Sequence, residues 1–447
     1  MLVGPDHSVP KMETAESYKT STALYASRVD KDWWKTFGDS KLNALMADLN
    51  RGSFDLRAAE SRRNQAYSAL GVDRALLYPQ VFSGASASRN RGTESDRGGP
   101  GGGGLQTYFS DYRASMSLSY EVDLWGRVRR LVEAGLANAE AAEVSADQVK
   151  LSLQSQLASN YFALRFLDSE ADVLGEALQT RQESLDLASD LFKAGKSSKL
   201  DVARAEAQLA NAKAQLVSLQ GPRAAFENSI ALLVSKNASS FTIQQKGISR
   251  NAPGVNAGTP AELLGRRPDV FVAERELAAS SAEIGVAKAA FFPKISLIGS
   301  GGYSSIKSSD FLKYSSSQFS IGPEVELPLF QGLRRDADLE LARGRHEEAL
   351  AIYQQTVLTA FADVENALAS RRAAINEIAA QQDSVAASQK ALDLSNARYR
   401  EGVASYLEVI DSQREILSAQ RSEIQARGRS FAATVQLIQA LGGGFTK

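Results

Sequence analysis

The sequence predicts a mainly α-helical chain with a smaller β component, built as two copies of one structural plan. Three observations support this fold class. Two proline-free helical stretches occupy residues 127–192 and 333–400, two shorter segments alternate apolar and polar residues, and an internal repeat relates the halves. Strict alternation is typical of a strand with one apolar and one polar face, whereas the longer stretches follow helical spacing.

The composition excludes several kinds of function. The chain has 447 residues, with 51 basic and 52 acidic side chains, a net charge of -1, two His and no Cys. The lack of Cys excludes disulfides, thiolate metal sites and a thiol nucleophile, and His7 and His346 lie far apart in the sequence. Balanced charge argues against a nucleic-acid partner. Apolar runs of about 18 residues are absent, so no membrane-spanning helix is expected, although spanning strands give a weaker signal.

No catalytic site is predicted. Carboxylate pairs such as Glu347-Glu348 lie on helix faces of alternating charge, without a nearby His, a metal cluster or a Ser-based triad. We therefore expect that the protein is not an enzyme and holds no metal.

An internal repeat organises the chain. Residues 55–60 resemble residues 269–274 at an offset of 214, and the same offset aligns Gly71 with Gly285. Residues 192–195 resemble residues 399–402 at an offset of 207. The offset changes within one loop, where the first half carries a glycine-rich tract at 98–104. We interpret this tract as a flexible tip, because a phosphate-binding loop would need a flanking strand and helix and usually a Lys-Ser/Thr pair.

The repeat predicts the same elements in both halves. In the first, a helix at 53–77 stops before Pro79, a strand pair lies within 80–124, a long helix spans 127–192, a hairpin spans 193–201 and a helix returns to about 233. The second half repeats this order, with a strand pair within 294–330 that Gly322-Pro323 interrupts, a long helix at 333–400, a hairpin at 401–407 and a return to about 441. We divide the chain into an N-terminal arm and belt segment (1–50), a first repeat (51–240), a linker (241–264) and a second repeat (265–447).

The strand count predicts an oligomer if the strands cross a membrane. Four strands per chain cannot close a barrel, and each unpaired backbone group in lipid costs several kcal/mol. Two chains would supply eight strands and three would supply twelve. From the alternation alone, a soluble sheet packed on helices remains an equal alternative. The helix at 127–192, at about 1.5 Å per residue, extends roughly 100 Å and favours an elongated helical assembly.

Several motifs, taken in order, resemble the TolC-like outer-membrane efflux factor family, and within it the lipoprotein branch that serves resistance-nodulation-division pumps. The motifs cover nearly the whole chain and comprise WWKTFGD at 33–39, YEVDLWGR at 120–127, PAELLGRRPD at 260–269, AAFFPKISL at 289–297, RYREG at 398–402 and LEVID at 407–411. The resemblance implies a homotrimer in the outer membrane of a Gram-negative bacterium. Its twelve-stranded β-barrel would be continuous with a long periplasmic α-helical barrel.

The resemblance also implies a function. It predicts the passive exit duct of a tripartite efflux pump that exports drugs or other small molecules, with a periplasmic adaptor and an inner-membrane pump as partners. Within transport, a type I secretion duct or a metal-efflux duct is the alternative. A soluble coiled-coil scaffold is an alternative of another class, but it would leave the paired alternating strands unexplained.

The resemblance places a gate at the helical tips. The matching gate and lumen residues are Asp201, Arg204, Arg398, Tyr399, Leu407, Glu408 and Asp411. Asp201 and Tyr399 are expected to hold neighbouring helices together, and Glu408 and Asp411 to form acidic rings that favour cations. Arg204 occupies the first-half position that matches Asp411, and we expect Arg204 to contact an acid across the gate.

Further expectations follow from the resemblance. The adaptor is expected to dock on the tip residues Ala194, Gly195, Lys196, Glu401, Gly402 and Val403, and aromatic residues at the membrane interface are expected at Tyr120, Trp125, Tyr303 and Phe330, with a core role equally open for Trp125. Trp33-Trp34 is expected to anchor the N-terminal arm. No cofactor is expected apart from an N-terminal lipid anchor. The lipoprotein branch begins with a lipidated Cys before a segment similar to Val3-Gly4-Pro5-Asp6, and Met1-Leu2 stands in its place here. Either the anchor was removed or this member lacks it, and no signal peptide is expected in the opening residues.

Overall fold

The computed structural model describes residues 2–19, 29–91, 108–248 and 250–445. The glycine-rich tract at 98–104, interpreted above as a flexible tip, lies outside the described residues. The helices are α1 (Ser40–Gly52), α2 (Phe54–Ala75), α3 (Arg127–Lys193), α4 (Lys199–Ser218), α5 (Gln220–Leu233), α6 (Pro260–Leu263), α7 (Pro268–Ala289), α8 (Arg334–Arg400) and α9 (Tyr406–Ala440). The strands are β1 (Gln80–Arg91), β2 (Tyr108–Glu121), β3 (Lys294–Ser305) and β4 (Ser317–Glu326).

Two elements differ from the sequence prediction. The first return helix is not continuous but divides into α4 and α5 at Leu219. Pro222 lies in the first turn of α5 and has no N–H to donate to the preceding turn, so the chain begins a new helix there. Strand β4 runs through Gly322-Pro323 without interruption, which is possible because β4 is an edge strand of the sheet, where proline is tolerated.

Contacts divide the chain into two compact units, and each unit takes segments from both repeats. Unit 1 comprises residues 1–11, 63–142 and 272–353, and unit 2 comprises 12–62, 143–271 and 354–447. The unit boundaries fall inside α2, α3, α7 and α8. They do not coincide with the segment boundaries that we inferred from the repeat. For α3 and α8 the reason is their length of 67 residues each.

Unit 1 contains an antiparallel sheet in the order β1-β2-β3-β4. The register places Val81, Leu118 and Gly299 side by side, so the apolar residues of β1 and β2 share one face. Ser117 and Ser300 face the other way, and Phe82 stands beside Ser117 as an apolar exception on the polar face. On the apolar face the side chain of Phe319 in β4 is 87% exposed, which leaves this face uncovered in the single chain.

The base of the sheet is fixed by one aromatic stack and one hydrogen bond. The Trp125 ring stacks on Phe292 with centroids 4.7 Å apart, and its indole N–H donates to the Pro293 carbonyl at 2.8 Å. Below it, α3 and α7 meet through alanines, among them Ala134 and Ala282. Small side chains bring the two helix backbones close together.

The N-terminal segment lies in a groove between these helices. The Val3 N–H donates to the Trp125 carbonyl at 3.1 Å, and buried Arg130 donates to the Val3 carbonyl at 3.2 Å and to Asp6 at 2.7 Å. Gly4 has a φ of +97°, and a Cβ there would lie 2.4 Å from the Gly285 Cα. The groove therefore accepts the segment only because both facing residues lack a side chain.

Unit 2 is held by an aromatic cluster and by buried arginines. Trp33, Phe37, Phe162 and Phe431 are buried, and Phe162 packs on Phe431 with centroids 4.7 Å apart. Trp34 is buried as well. Both tryptophans of the pair therefore lie in the interior of unit 2, and their expected role as an anchor for the arm stays a prediction.

Arg267 ties together three helices of unit 2. Its guanidinium donates to Asp269 at 2.9 Å, to Asp363 of α8 at 3.0 Å and to the Ala440 carbonyl at the end of α9 at 3.2 Å. Its side chain is only 9% exposed. Burial tends to lower the pKa of Arg267, but its ion pairs with Asp269 and Asp363 raise the pKa above the ordinary value.

Gly285→Ala is expected to displace the N-terminal segment. The new Cβ would lie 2.8 Å from the Arg130 Cγ and 2.9 Å from the Val3 carbonyl oxygen. We expect hydrogen exchange at the Val3 amide to accelerate at least about tenfold, because its bond to Trp125 opens. Gly71→Ala is the matched control, since Gly71 occupies the equivalent helix position and nothing lies within 4 Å of its added Cβ. Equal exchange in both variants would contradict this account of the groove.

Arg267→Met is expected to destabilise unit 2. Removal of one partner from a buried ion pair costs about 3–5 kcal/mol, and the partial exposure of Asp363 reduces our expectation to about 2–3 kcal/mol. Chemical denaturation of the detergent-solubilised protein measures the change. The neighbouring Arg266→Met is the control, because Arg266 pairs with the half-exposed Glu262 and its loss should cost less than about 1 kcal/mol. A similar loss of unfolding free energy in both variants would mean that Arg267 stabilises unit 2 no more than an arginine in a surface ion pair does.

Candidate gate at the helical tips

Both hairpins of unit 2 turn by the same backbone device. At the first, the Lys196 N–H bonds to the Leu191 carbonyl at 2.8 Å around Gly195, which has a φ of +71°. At the second, the Val403 N–H bonds to the Arg398 carbonyl at 3.0 Å around Gly402, with a φ of +76°. This is the Schellman arrangement, in which a left-handed glycine ends a helix. The glycines therefore define both tips.

Each return helix then begins with a Ser and an acidic residue three positions later. The Asp201 carboxylate accepts from the Ser198 N–H at 3.2 Å and from the Ser198 hydroxyl at 2.8 Å. The Glu408 carboxylate accepts from the Ser405 N–H at 3.3 Å. These are capping boxes, which satisfy backbone donors at a helix start. Asp201 and Glu408, which are expected to serve a gate, thus also cap the starts of α4 and α9 in the single chain.

The two acids differ in environment. Asp201 is 21% exposed and accepts a further bond from the Ser197 hydroxyl, whereas the Glu408 side chain is 49% exposed. Burial alone would raise the pKa of Asp201, but the bonds from Ser198 and Ser197 and the charge of Arg204 hold it below the ordinary value. The carboxylate of Asp201 is therefore held by hydrogen bonds within the first tip, whereas the carboxylate of Glu408 at the second tip remains accessible to solvent.

A buried cluster joins the two hairpins behind the tips. Tyr399 of α8 packs on Tyr406 of α9 with ring centroids 5.3 Å apart, against Ala188 of α3 and Ala205 of α4. Burial raises the pKa of Tyr406 to about 12, and the pKa of Tyr399 rises mainly through burial, with a contribution from the Asp201 charge. The structure therefore brings Tyr399 and Asp201 into one neighbourhood.

The other expected gate residues lie at the surface. Within the chain, Arg204 is 3.7 Å from Asp201 of its own helix, Arg398 is 4.0 Å from Glu408, and Asp411 is 4.0 Å from Arg414. Leu407 is exposed beside them. In the single chain the acid partner of Arg204 is therefore one turn away in α4, and the expected contact across the gate stays a prediction. The adaptor-docking candidates Ala194, Gly195, Lys196, Glu401, Gly402 and Val403 are all exposed.

The aromatic residues expected at a membrane interface have different surroundings. Trp125 is half-buried in its stack on Phe292, which favours the packing role that the sequence left open. Tyr120 and Tyr303 lie half-buried on the sheet, and Phe330 is 88% exposed just beyond β4.

Sequence reasoning missed the two capping serines and Tyr406. The signal for the serines was present, because Ser198 and Ser405 each stand three residues before an acid at a predicted helix start. Tyr406 gave no local signal, since only the packing of four helices identifies it. Among the described residues, no group of three His, Cys, Asp or Glu is placed to hold a metal ion. None of the described helices combines the length and the apolar character that crossing a bilayer requires.

Comparison with known proteins identifies the family. A family model described as outer membrane efflux protein matches residues 45–235 and 259–443. The chain belongs to this family. It is therefore a non-enzymatic efflux channel component of the outer membrane with a periplasmic extension, and the resemblance inferred from the sequence is confirmed. Family membership excludes the soluble scaffold.

Individual relatives cover nearly the same length. The chain is 31% identical over 428 residues to the pyoverdine export outer membrane protein OpmQ of Pseudomonas aeruginosa, which covers 94% of this chain and 90% of that protein. It is 27% identical over 387 residues to the cation efflux system protein CusC of Escherichia coli K12, with coverage of 85% and 82%. The solved outer-membrane channel OprN aligns at a TM-score of 0.91 and 32% identity, over 99% of both chains.

Asp201→Asn is expected to loosen the first tip at neutral pH by about 0.5–1.5 kcal/mol. Because the folded pKa of Asp201 is lowered, its stabilisation is fully present above the ordinary carboxyl pKa and is lost as the pH falls through the lowered value. Protection factors of the Ser198 and Asp201 amides, compared at pH 7 and pH 3, measure the effect. We expect a difference between the wild type and the variant at pH 7 that shrinks at pH 3.

The matched control for this prediction is Glu408→Gln. Its longer bond and greater exposure predict a smaller effect at the second tip. An Asp201 effect that persists undiminished at pH 3 would show that the charge of the carboxylate does not stabilise the tip.

Proposed function

We propose that three copies of this chain form a passive exit duct of a tripartite efflux pump, closed at the helical tips and opened with a periplasmic adaptor and an inner-membrane pump. The observation that carries the proposal is the four-stranded sheet of unit 1, which has an uncovered apolar face and two edge strands. Three copies would pool twelve strands into a closed barrel, which satisfies the backbone groups of β1 and β4.

The gate is proposed at the tips because charged side chains there are exposed around a rigid base. The cluster of Tyr399 and Tyr406 fixes the helices, while Glu408 and Asp411 remain at the surface of α9. Threefold symmetry would bring three copies of each acid together, which raises the local negative potential and favours cations. The exposed tip residues around Gly195 and Gly402 are proposed as the adaptor-docking surface.

The exported compound is proposed to be a drug or another small molecule that the pump selects. OpmQ is named for pyoverdine export and CusC for cation efflux, and both resemble this chain at comparable identity. The similarity therefore does not select a cargo. Metal efflux remains the second candidate through CusC, whereas no feature of the described residues favours type I secretion.

A lipid anchor at the N-terminal end is also proposed for the native protein. The Val3–Asp6 segment lies against Trp125 and Arg130, directly below the strands of unit 1. An acyl chain on a cysteine at the position before this segment, where Leu2 stands here, would begin close to the ends of the proposed membrane-spanning strands. Mass spectrometry of the protein from bacterial outer membranes, expressed with a native leader, would detect the added acyl mass.

The assembly is tested with detergent-solubilised protein. We expect a trimer in native mass measurements and discrete pores after insertion into planar bilayers. A monomer or dimer that is stable without detergent and forms no pores would contradict the duct.

The gate is tested by selectivity. We expect Glu408→Gln combined with Asp411→Asn to lower the cation-to-anion permeability ratio of the pore severalfold, because each change removes three charges from one ring. Arg204→Gln should change it in the opposite direction. Glu206→Gln is the control, since Glu206 is exposed on a different face of α4 from Asp201. An unchanged ratio in the double variant would place the gate elsewhere.

A further inference from the structure

One buried cation of unit 2 has no ion-pair partner among the described residues. The side chain of Arg181 in α3 is 4% exposed, and no described carboxylate lies within 4.0 Å of it. One of its N–H groups donates to the Gln208 carbonyl at 3.1 Å. A guanidinium carries five such donors and remains charged in proteins, so this single bond leaves most of its capacity unused.

A second arginine approaches the same place. The Arg414 Nε–H of α9 donates to the Gln208 side-chain oxygen at 3.4 Å, so both guanidinium groups converge on one neutral residue. Burial lowers the pKa of Arg181, and the Arg414 charge lowers it further. Arg181 is buried and Arg414 is 56% exposed, so the unfavourable approach of two like charges falls mainly on Arg181 unless a negative charge joins them.

The carboxylates that pair with the arginines of this region leave one arginine without an ion pair. Arg421, two turns further along α9, is paired with Glu170 at 2.6 Å, and Arg414 is 4.0 Å from the exposed Asp411. These two carboxylates pair with two of the three arginines. Arg181, the most buried of the three, is the one that remains.

The three arginines line one open cleft of about 390 Å³ between α4 and α9. The rest of its wall is mainly polar, with side-chain amides such as Asn211 and hydroxyls such as Ser418. A guanidinium pair with amide and hydroxyl donors suits the planar oxygens of a carboxylate or the tetrahedral oxygens of a phosphate.

The architecture itself does not require these cations. Helices α3 and α8 correspond at an offset of 207, which aligns Arg181 with Ser388 and Arg414 with Ala207. The equivalent positions, Ser388 of α8 and Ala207 of α4, therefore carry no cation. A purely structural role would leave this asymmetry without a cause.

We propose that the cleft between α4 and α9 is an oxyanion site, in which Arg181 and Arg414 bind a carboxylate or phosphate group. The site is independent of the proposed transport role, since its residues lie on the helical body and not among the gate acids. Arg181 is the central donor, and Arg421 remains with Glu170 at the edge.

The test uses the full chain, solubilised in detergent in low-salt buffer, with inorganic phosphate and citrate as separate probes. Titration calorimetry should show saturable binding of at least one probe, at one site per chain, and that probe should raise the melting temperature. The better probe distinguishes a phosphate site from a carboxylate site. Failure of both probes to bind would overturn the proposal.

Two variants and one control separate binding from folding. Arg181→Met should weaken binding at least about tenfold, and Arg414→Gln should weaken it severalfold. Without a probe, Arg181→Met should melt at the same temperature as the wild type or higher, because a buried charge is removed. Arg372→Gln, which changes an exposed arginine of α8 outside the cleft, should bind like the wild type. Undiminished binding by Arg181→Met would also overturn the proposal.

Discussion

Backbone hydrogen bonding in lipid is the constraint on which the rest of this structure depends. A strand that faces hydrocarbon must pair on both sides, and within the described residues β1 and β4 each pair on one side only. The sheet of a single chain is therefore one part of an arrangement that other copies must complete. The sequence anticipates this need by placing apolar residues on one face and serines on the other.

A second constraint follows from the length of α3 and α8, which have 67 residues each. Helices of this length pass through both compact units and cannot share one thick core. The chain compensates with alanine contacts, as between α3 and α7, and with a few buried charged groups that fix the crossing points. Asp168 shows the principle, because it is fully buried and holds both Arg165 and Arg223.

The periodicity of the sequence was sufficient to predict most of the secondary structure. The long helices, the strand pairs and both hairpin tips follow from local patterns of apolar residues, proline and glycine, and the repeat supplied their order. The break at Leu219 was missed because helical spacing continues across it, and the effect of Pro222 depends on its position within the turn. The continuity of β4 through Pro323 was missed because local sequence does not show that a strand lies at an edge.

At the tips, the sequence identified the acids but not their structural bonds. Asp201 and Glu408 were selected through a family resemblance, while their hydrogen bonds to Ser198 and Ser405 depend on local geometry that the sequence pattern also encodes. The Tyr399 and Tyr406 cluster and the isolation of Arg181 depend on helices that are distant in sequence. Such features require the packed structure, because no short window of the chain contains both partners.

The groove that holds the N-terminal segment has a consequence for the order of folding. The groove that receives Val3 and Gly4 is made by residues distant in sequence, by Arg130, which lies 127 residues after Val3, and by Gly285, still further along the chain. The groove exists only after α3 and α7 have packed. The Val3–Gly4 segment can therefore dock only once these two helices have packed, and its docking reports that their packing is complete.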